Sequence, residues 1–383
     1  MAYPQPMRIT AVDTIQLGQF PNFFFVEIHT DEGLVGLGQT ADSRRTAPVV
    51  QELGELLLGR DPLGVEPIWN DLFRRVSFHG YAGAEMRAIS AIDIALWDLL
   101  GQATGRPIWQ LLGGLSRERV PIYNTNSRFG DRNDAALART DPIALAEQLL
   151  ANGIKAMKWS MIDEHAAPSL GHYLEPAQVA AALASARKLA DRFGDSFRVG
   201  VEGHSVLDLP AAVQFAHAAE ELPNILWLED MLPPENPRAW AELKRQTRLP
   251  VAGSERFMSR WQFVPLFEGY AVDVAIADVT WAGGISELKK LAVMAEAYHI
   301  PITPHDHSGP VNLLAGTHVM CNVPNASVME TSRVFYETYY ADLVDHPPVV
   351  KDGHVHAPTG PGLGAALLPD VRKRGDATVT KVA

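Results

Sequence analysis

Three stretches decide the fold: FRVGVE (197–202), NILWLE (224–229) and LPVAGSE (249–255). Each is an apolar run ending in a glutamate, and the glutamates are evenly stepped, with 229 − 202 = 27 and 255 − 229 = 26. The same rhythm continues through Asp278, His305 and Glu330. Apolar strands that each end in one ionisable residue, separated by helix-length intervals, are what a (β/α) barrel presents at its C-terminal rim. Three acids converging there form a candidate site for a divalent cation.

Working outward, apolar strands are expected at 120–123, 154–158, 198–202, 225–229, 251–254, 272–276, 301–304 and 327–330. Between them lie helical patterns such as PAQVAAALASARKLADRFG and ISELKKLAVMAEAYH. Strict alternation of this kind predicts a closed parallel barrel rather than an open sheet. Before it, residues 8–39 read as a hairpin or meander (RITAVDTIQL, FFFVEIHT, the turn DEG, LVGLGQT), followed by helices near 47–58 and 84–101, the second capped by Gly101. Strands first and helices after predict a separate α+β module. The Pro- and Gly-rich tail, with HPPVV and APTGPGLG, reads as irregular structure returning onto that module. The expected boundaries are 1–117, 118–341 and 342–383. The fold class is α/β, a modified (β/α) TIM-type barrel joined to an α+β module built from both chain ends.

Bulk properties narrow the function. A chain of 383 residues exceeds the roughly 250–300 that one core sustains, so two domains are expected. The net charge of −12 argues against nucleic acid or an acidic membrane as partner, since either requires a concentrated basic surface. An anionic small molecule is compatible with a locally bound metal. Cys321 is the only cysteine, so no internal disulfide forms. The opening MAYPQPMRIT has no apolar core of signal-peptide length and no run of about 18 apolar residues occurs, so the expectation is a soluble cytoplasmic protein.

The chemistry concentrates at the strand ends. Glu202, Glu229 and Glu255 are the expected metal ligands, and all-oxygen ligation favours Mg²⁺. A lone rim glutamate is more often a cap or surface group; three at successive strand ends are not. Residues two apart share a strand face, so His204 should join Glu202 at the mouth, and Ser160 should join Lys158. Lys158 reads either as a solvated rim lysine or as a contact for a substrate anion, with Arg256 a second candidate. Asp278 and His305 end neighbouring strands, and a carboxylate behind an imidazole fixes its tautomer and raises its basicity, as a general base requires. The same pair could instead simply brace the strands. His307 shares a face with His305; the two could chelate a transition metal, but no third imidazole is placed to join them. Glu330 could hydrogen-bond across the mouth or pair with Arg333.

These residues resemble the mandelate racemase subgroup of the enolase superfamily over nearly the whole chain. AISAIDIALWDLLGQATGRPIWQLLGG (88–114) is similar to the segment closing that group's capping domain, and ADVTWAGGISELKKLA (277–292) to its sixth barrel strand and helix. VEGH, PVAGSERFMSR, AGGISE followed by MAEAY, and PHDHSGPV resemble the acid-sugar dehydratases of the subgroup, the galactonate dehydratase branch in particular. The resemblance implies Mg²⁺ on the three glutamates, His305 with Asp278 as the base, and His204 as the acid that expels a hydroxyl. It also implies Glu330 at the eighth strand end, a carboxylate-bearing sugar acid as substrate with Ser160, Arg256 and His307 near it, and a homo-oligomer. The implied reaction removes the proton α to the carboxylate, loses the 3-hydroxyl and yields a 2-keto-3-deoxy acid. Two positions depart from the pattern: the first ligand is usually Asp, and Glu229-Asp230-Met231 stands where Glu-Glu-Pro is usual. Racemases of the subgroup carry a second lysine where this chain has Ser160, which favours elimination. An epimerase, a lactone cycloisomerase and a non-catalytic sugar-acid binder are the alternatives. The aromatic loops around Phe20–Phe24 and Phe78–Tyr81 are expected either to cover the site or to pack between domains.

Overall fold

The computed structural model describes residues 7–160 and 162–383; the leading MAYPQP, part of the stretch read for a signal sequence, and Met161 lie outside them. The first apolar runs pair as an antiparallel meander of β1 (Ile9–Leu17), β2 (Phe23–Thr30) and β3 (Val35–Ala41), with Thr14 opposite Val26 and Val26 opposite Gly38. The helix Ala84–Thr104 packs on β3 at close range, because a Cβ on Gly38 would stand 2.0 Å from the Ala91 carbonyl oxygen. Gly101 is not the cap of this helix. The helix runs on to Thr104 and ends at Gly105, whose φ of 65° is left-handed. Gly101 instead permits a backbone crossing, since a Cβ there would lie 2.3 Å from the Cα of Gly362. The first helix spans Ser43–Glu55, a few residues earlier than expected. A further helix, Val65–Ser77, buries Val65, Ile68, Trp69, Leu72 and Val76, which fall on one helical face.

The barrel strands follow. β4 (Arg119–Thr125) leads into a small hairpin of β5 (Arg128–Phe129) and β6 (Arg132–Asn133). Then come β7 (Ala156–Trp159), β8 (Arg198–Glu202), β9 (Ile225–Glu229), β10 (Val251–Gly253), β11 (Val274–Ala277), β12 (Ile302–Pro304) and β13 (Met329–Thr331). The parallel order is β12-β11-β10-β9-β8-β7-β4, and β13 pairs with β4 through Met329–Ile122, Glu330–Tyr123 and Thr331–Asn124. The bridge Ile302–Ala326 joins the region before β13 to β12 and so closes the ring. β7 and β11 begin two residues later than expected: Ile154 and Val272 are buried, but by side-chain packing rather than by ladder pairing.

The tail forms β14 (Val350–Lys351) and β15 (His354–His356), which pair antiparallel with each other, and β15 also pairs antiparallel with the first half of β4. It ends in β16 (Ala377–Val382) along β1, giving the order β16-β1-β2-β3. Buried polar contacts fix this layer against the barrel. Asp93 accepts from Ser286 N and Oγ at 3.0 and 2.6 Å, Thr40 Oγ1 donates to Thr280 O at 2.7 Å, and Gln39 Nε2 donates to Ser308 Oγ at 3.1 Å. Asp98 accepts from Leu37 N, Leu363 N and Gln102 Nε2 at 2.8–2.9 Å, tying sheet, helix and tail together. Burial pushes Asp93 and Asp98 up to about 7 against those donors. No helix among the described residues is long and apolar enough to cross a membrane.

Candidate active site

The apolar part of each strand buries itself in the barrel wall, so the polar residue at its C-terminal end is carried to the rim. There, a cavity of about 460 Å³ is lined by Lys158, Ser160, Glu202, His204, Glu255, His305, His307 and Glu330 among others. Glu229 lies below them, fully buried. Glu202, Glu229 and Glu255 come from successive strand ends and each offers an oxygen within 4.8 Å of the others. Oε2 of Glu202 and Oε2 of Glu255 are buried and accept no hydrogen bond. Converging hard oxygens, two of them buried with ionic neighbours but no hydrogen-bond donor, fit a small divalent cation, Mg²⁺ above the softer metals.

Lys158 is not a solvated rim group. Its ammonium lies 2.8 Å from Glu229 Oε1, 3.2 Å from Glu202 Oε2 and 2.7 Å from Glu330 Oε1, with the side chain 6% exposed. Burial works against its charge, and the three carboxylates outweigh that and hold its pKa well above the usual lysine value. Glu330 also accepts from Thr125 Oγ1 and from the Asp306 backbone N–H at 3.2 Å. Burial alone would raise its pKa, but Lys158 and His305 bring it down to about 2. It does not pair with Arg333, whose guanidinium grips Asp134 at 2.7 and 2.8 Å.

His305 Nδ1 lies 2.7 Å from Asp278 Oδ2. Asp278 further accepts from Thr280 N and Oγ1, both at 2.6 Å, and from Asn312 Nδ2 at 3.2 Å. A carboxylate acceptor assigns the proton to Nδ1 and leaves Nε2 as the basic nitrogen, 3.4 Å from Glu255 Oε2. Burial opposes the imidazolium, yet the charges of Glu255 and Glu330 lift its pKa well above the ordinary value. A divalent cation on Glu255 would neutralise part of that pull. Trp281 packs on the imidazole with ring centroids 4.9 Å apart.

His204 reaches the cavity by a different route from the one strand parity suggests. β8 ends at Glu202, and His204 and Ser205 are left-handed, with φ of 43° and 59°. That turn lets the His204 backbone N–H donate to Glu202 Oε1 at 2.7 Å and places Nδ1 2.6 Å from Asp163 Oδ2. The hydrogen bond to Asp163, against burial, holds the ring up at about 9. His307 Nε2 lies 2.8 Å from Ser127 Oγ, and its ring meets the edge of Phe335. His305 and His307 belong to no group of three ligand side chains among the described residues. Arg256 is not brought in: it lies with Glu255 in the turn after β10, but it is exposed and outside the cavity lining, whereas Glu255 lines the mouth.

Sequence reasoning missed several members. Thr125 sits on β4, where no ionisable residue marked the strand end. Thr280 and Asn312 brace Asp278 from a turn and a helix start, and Asn312 is also bonded to Ser308 at 3.0 Å, which Gln39 reaches from β3. Asp163 carried no signal, lying in the short helix Ile162–Ala166 after β7. Asp230, noted only as a departure from pattern, is buried beside the trio and accepts from Ser254 Oγ at 3.0 Å. Of the aromatic loops, Phe20 and Phe23 are buried against Phe129 and Tyr339, whereas Phe78 is 88% exposed and lines no part of the cavity. Asp13, Glu27 and His29 form a second acidic group in the sheet of β1 and β2, and Arg372 pairs with both of its carboxylates.

Comparison with known proteins identifies the family. Residues 2–113 match the mandelate racemase / muconate lactonizing enzyme N-terminal domain, and residues 141–371 match the enolase C-terminal domain-like family. A D-galactonate dehydratase of Pectobacterium atrosepticum is 32% identical over 369 residues, covering 94% of this chain and 92% of its own length. One from Ralstonia nicotianae is 33% identical with the same coverage. Among solved structures, an enolase of the mandelate racemase subgroup from Agrobacterium tumefaciens superposes with a TM-score of 0.89 at 37% identity, covering 98% of both chains. A putative dehydratase from Zymomonas mobilis gives 0.87 at 27% identity, covering 98% of this chain and 99% of its own.

Proposed function

This chain belongs to the mandelate racemase / muconate lactonizing enzyme family of enolase-like proteins, and from that premise we propose that it is an acid-sugar dehydratase using Mg²⁺. It would remove the proton α to a carboxylate, eliminate the 3-hydroxyl and release a 2-keto-3-deoxy acid. One observation carries the reading: a carboxylate-braced imidazole, His305, and a second imidazole, His204, line the same cavity as Glu202 and Glu255 of the glutamate trio. The relatives named D-galactonate dehydratase support an aldonic acid as substrate.

Bound by Glu202, Glu229 and Glu255, Mg²⁺ would supply positive charge to the substrate carboxylate as its enediolate forms. His305 Nε2 takes the α-proton, and Asp278 keeps Nδ1 protonated and steadies the imidazolium. The electron pair left on the α-carbon then expels the 3-hydroxyl, which leaves as water with a proton from His204. The enol that remains tautomerises to the 2-keto-3-deoxy acid. Lys158 and Glu330 stand as a buried ion pair that sets the charge of the mouth, and Ser160 and His307 face the substrate. A two-base epimerase is disfavoured, because the Lys158 ammonium is engaged by three carboxylates and Ser160 is no base at neutral pH. We further propose module boundaries at 117/118 and 341/342, a homo-oligomeric assembly and a cytoplasmic location. The test is incubation with Mg²⁺ and a panel of aldonic and aldaric acids. A 2-keto-3-deoxy product is expected; epimerised or lactonised acids without it would replace the dehydratase reading.

A further inference from the structure

We propose that Asp163 is the positioning residue for the elimination half of the reaction: it anchors His204 through Nδ1, so that Nε2 is the only ring nitrogen left to serve the cavity. The inference rests on the dehydratase reading above. Its basis is geometric. Asp163 Oδ2 lies 2.6 Å from His204 Nδ1, while the His204 backbone N–H is held at 2.7 Å by Glu202 Oε1. The backbone and one ring nitrogen are therefore both fixed. An imidazole on a left-handed turn at the open side of a mouth, with its side chain 45% exposed, has several rotamers available, and a second anchor removes that freedom. The site thus holds two carboxylate–imidazole pairs built from different elements. Asp278 and His305 directly follow β11 and β12, whose pairing through Ala277 and Pro304 sets their distance. Asp163 and His204 come from the segments beyond β7 and β8, which are likewise neighbours in the sheet. Each pair presents one free Nε2, as the two proton transfers of a dehydration require: one nitrogen receives the α-proton, the other delivers a proton to the departing hydroxyl oxygen as the C–O bond breaks.

The two pairs should separate in D₂O. Once His305 has taken the α-proton, the enediolate either loses the 3-hydroxyl or is reprotonated with solvent deuterium. Asp163→Asn should leave proton removal intact and slow the loss of hydroxyl by roughly 10- to 100-fold, part of the 10²–10⁴ that a placed general acid supplies. Recovered acid should accordingly gain α-deuterium relative to product, with KM little changed, and Asp163→Glu should restore part of the wild-type ratio. Independently of turnover, long-range ¹H–¹⁵N spectra of histidine-labelled protein should show two strongly downfield Nδ1 protons, one from each pair, and the one assigned to His204 by its loss in His204→Gln should disappear in Asp163→Asn while that of His305 stays. If exchange and elimination fall together in Asp163→Asn, or the His204 downfield proton persists, Asp163 only shapes the surface and the proposal is overturned. A wild-type protein that dehydrates no acid overturns this proposal together with the dehydratase reading, whereas wild-type dehydration with an unchanged ratio in the variant overturns this proposal alone.

Discussion

Replacing Asp278 by asparagine should silence the enzyme by giving His305 the wrong tautomer. Oδ1 of Asp278 accepts the backbone N–H of Thr280, a donor that cannot be reversed, so an asparagine must keep its carbonyl oxygen on that side. Its NH₂ group then faces His305 Nδ1 in the place of Oδ2. The imidazole can meet a donor only by deprotonating Nδ1 and carrying its proton on Nε2, the nitrogen that has to receive the α-proton. Carboxylate-to-amide changes behind a catalytic histidine cost about 10⁴ in kcat, which at about 1.36 kcal/mol per decade is roughly 5.5 kcal/mol of barrier. Asn312 can flip its amide to present its oxygen, so folding should suffer by only about 1–3 kcal/mol. The assay is α-deuterium incorporation into an aldonic acid beside product formation, with circular dichroism and a denaturation curve to show that the variant is folded. Both rates should fall together. A folded Asp278→Asn protein that exchanges the α-proton within tenfold of wild type would refute the assignment of His305 Nε2 as the base.

Other consequences can be checked separately. Mg²⁺ should raise the melting temperature in proportion to RT ln(1 + [Mg²⁺]/Kd), and Glu202→Gln should abolish most of that shift; an equal shift in the variant would place the ion elsewhere. Arg333→Met leaves Asp134 buried without its guanidinium at the β4–β13 seam and should cost about 3–5 kcal/mol in urea denaturation, so a loss below about 1 kcal/mol would contradict the role given to that pair. Asp98, lifted by burial to about 7 from an ordinary 3.8, retains a proton in the folded state over the window between those values where the unfolded chain has lost it. Its contribution is therefore fully present at the acid end and is lost as pH rises through about 7. Asp98→Asn should flatten the decline in urea midpoint between about pH 4 and pH 7; parallel curves would show that Asp98 does not titrate there.

The fold was legible because a parallel barrel writes itself as evenly spaced apolar runs, and each strand end falls where the run stops. FRVGVE and NILWLE become β8 and β9 with Glu202 and Glu229 as their last residues. Less legible are the features that depend on neighbours distant in sequence. Gly101 reads as a helix cap but leaves the space that Gly362 occupies, and the identity of that partner is invisible from residue 101. Lys158 reads as a solvated rim lysine or a contact for a substrate anion, and the three carboxylates from β8, β9 and β13 that close around it are invisible from its own strand. Asp163, Thr280 and Asn312 lie in turns and helix starts, where periodicity gives no facing direction. The His204 side chain was assigned to the mouth by strand parity, yet it arrives there on a left-handed turn that parity does not describe.

The central claim is that three glutamates gather one cation beside His305. Crystals soaked in Mn²⁺, as an anomalous surrogate for Mg²⁺, test it most directly. A single strong anomalous peak coordinated by Glu202, Glu229 and Glu255 together is expected. A peak confined to the Asp13, Glu27 and His29 group, or one that touches fewer than two of the three glutamates, would contradict it.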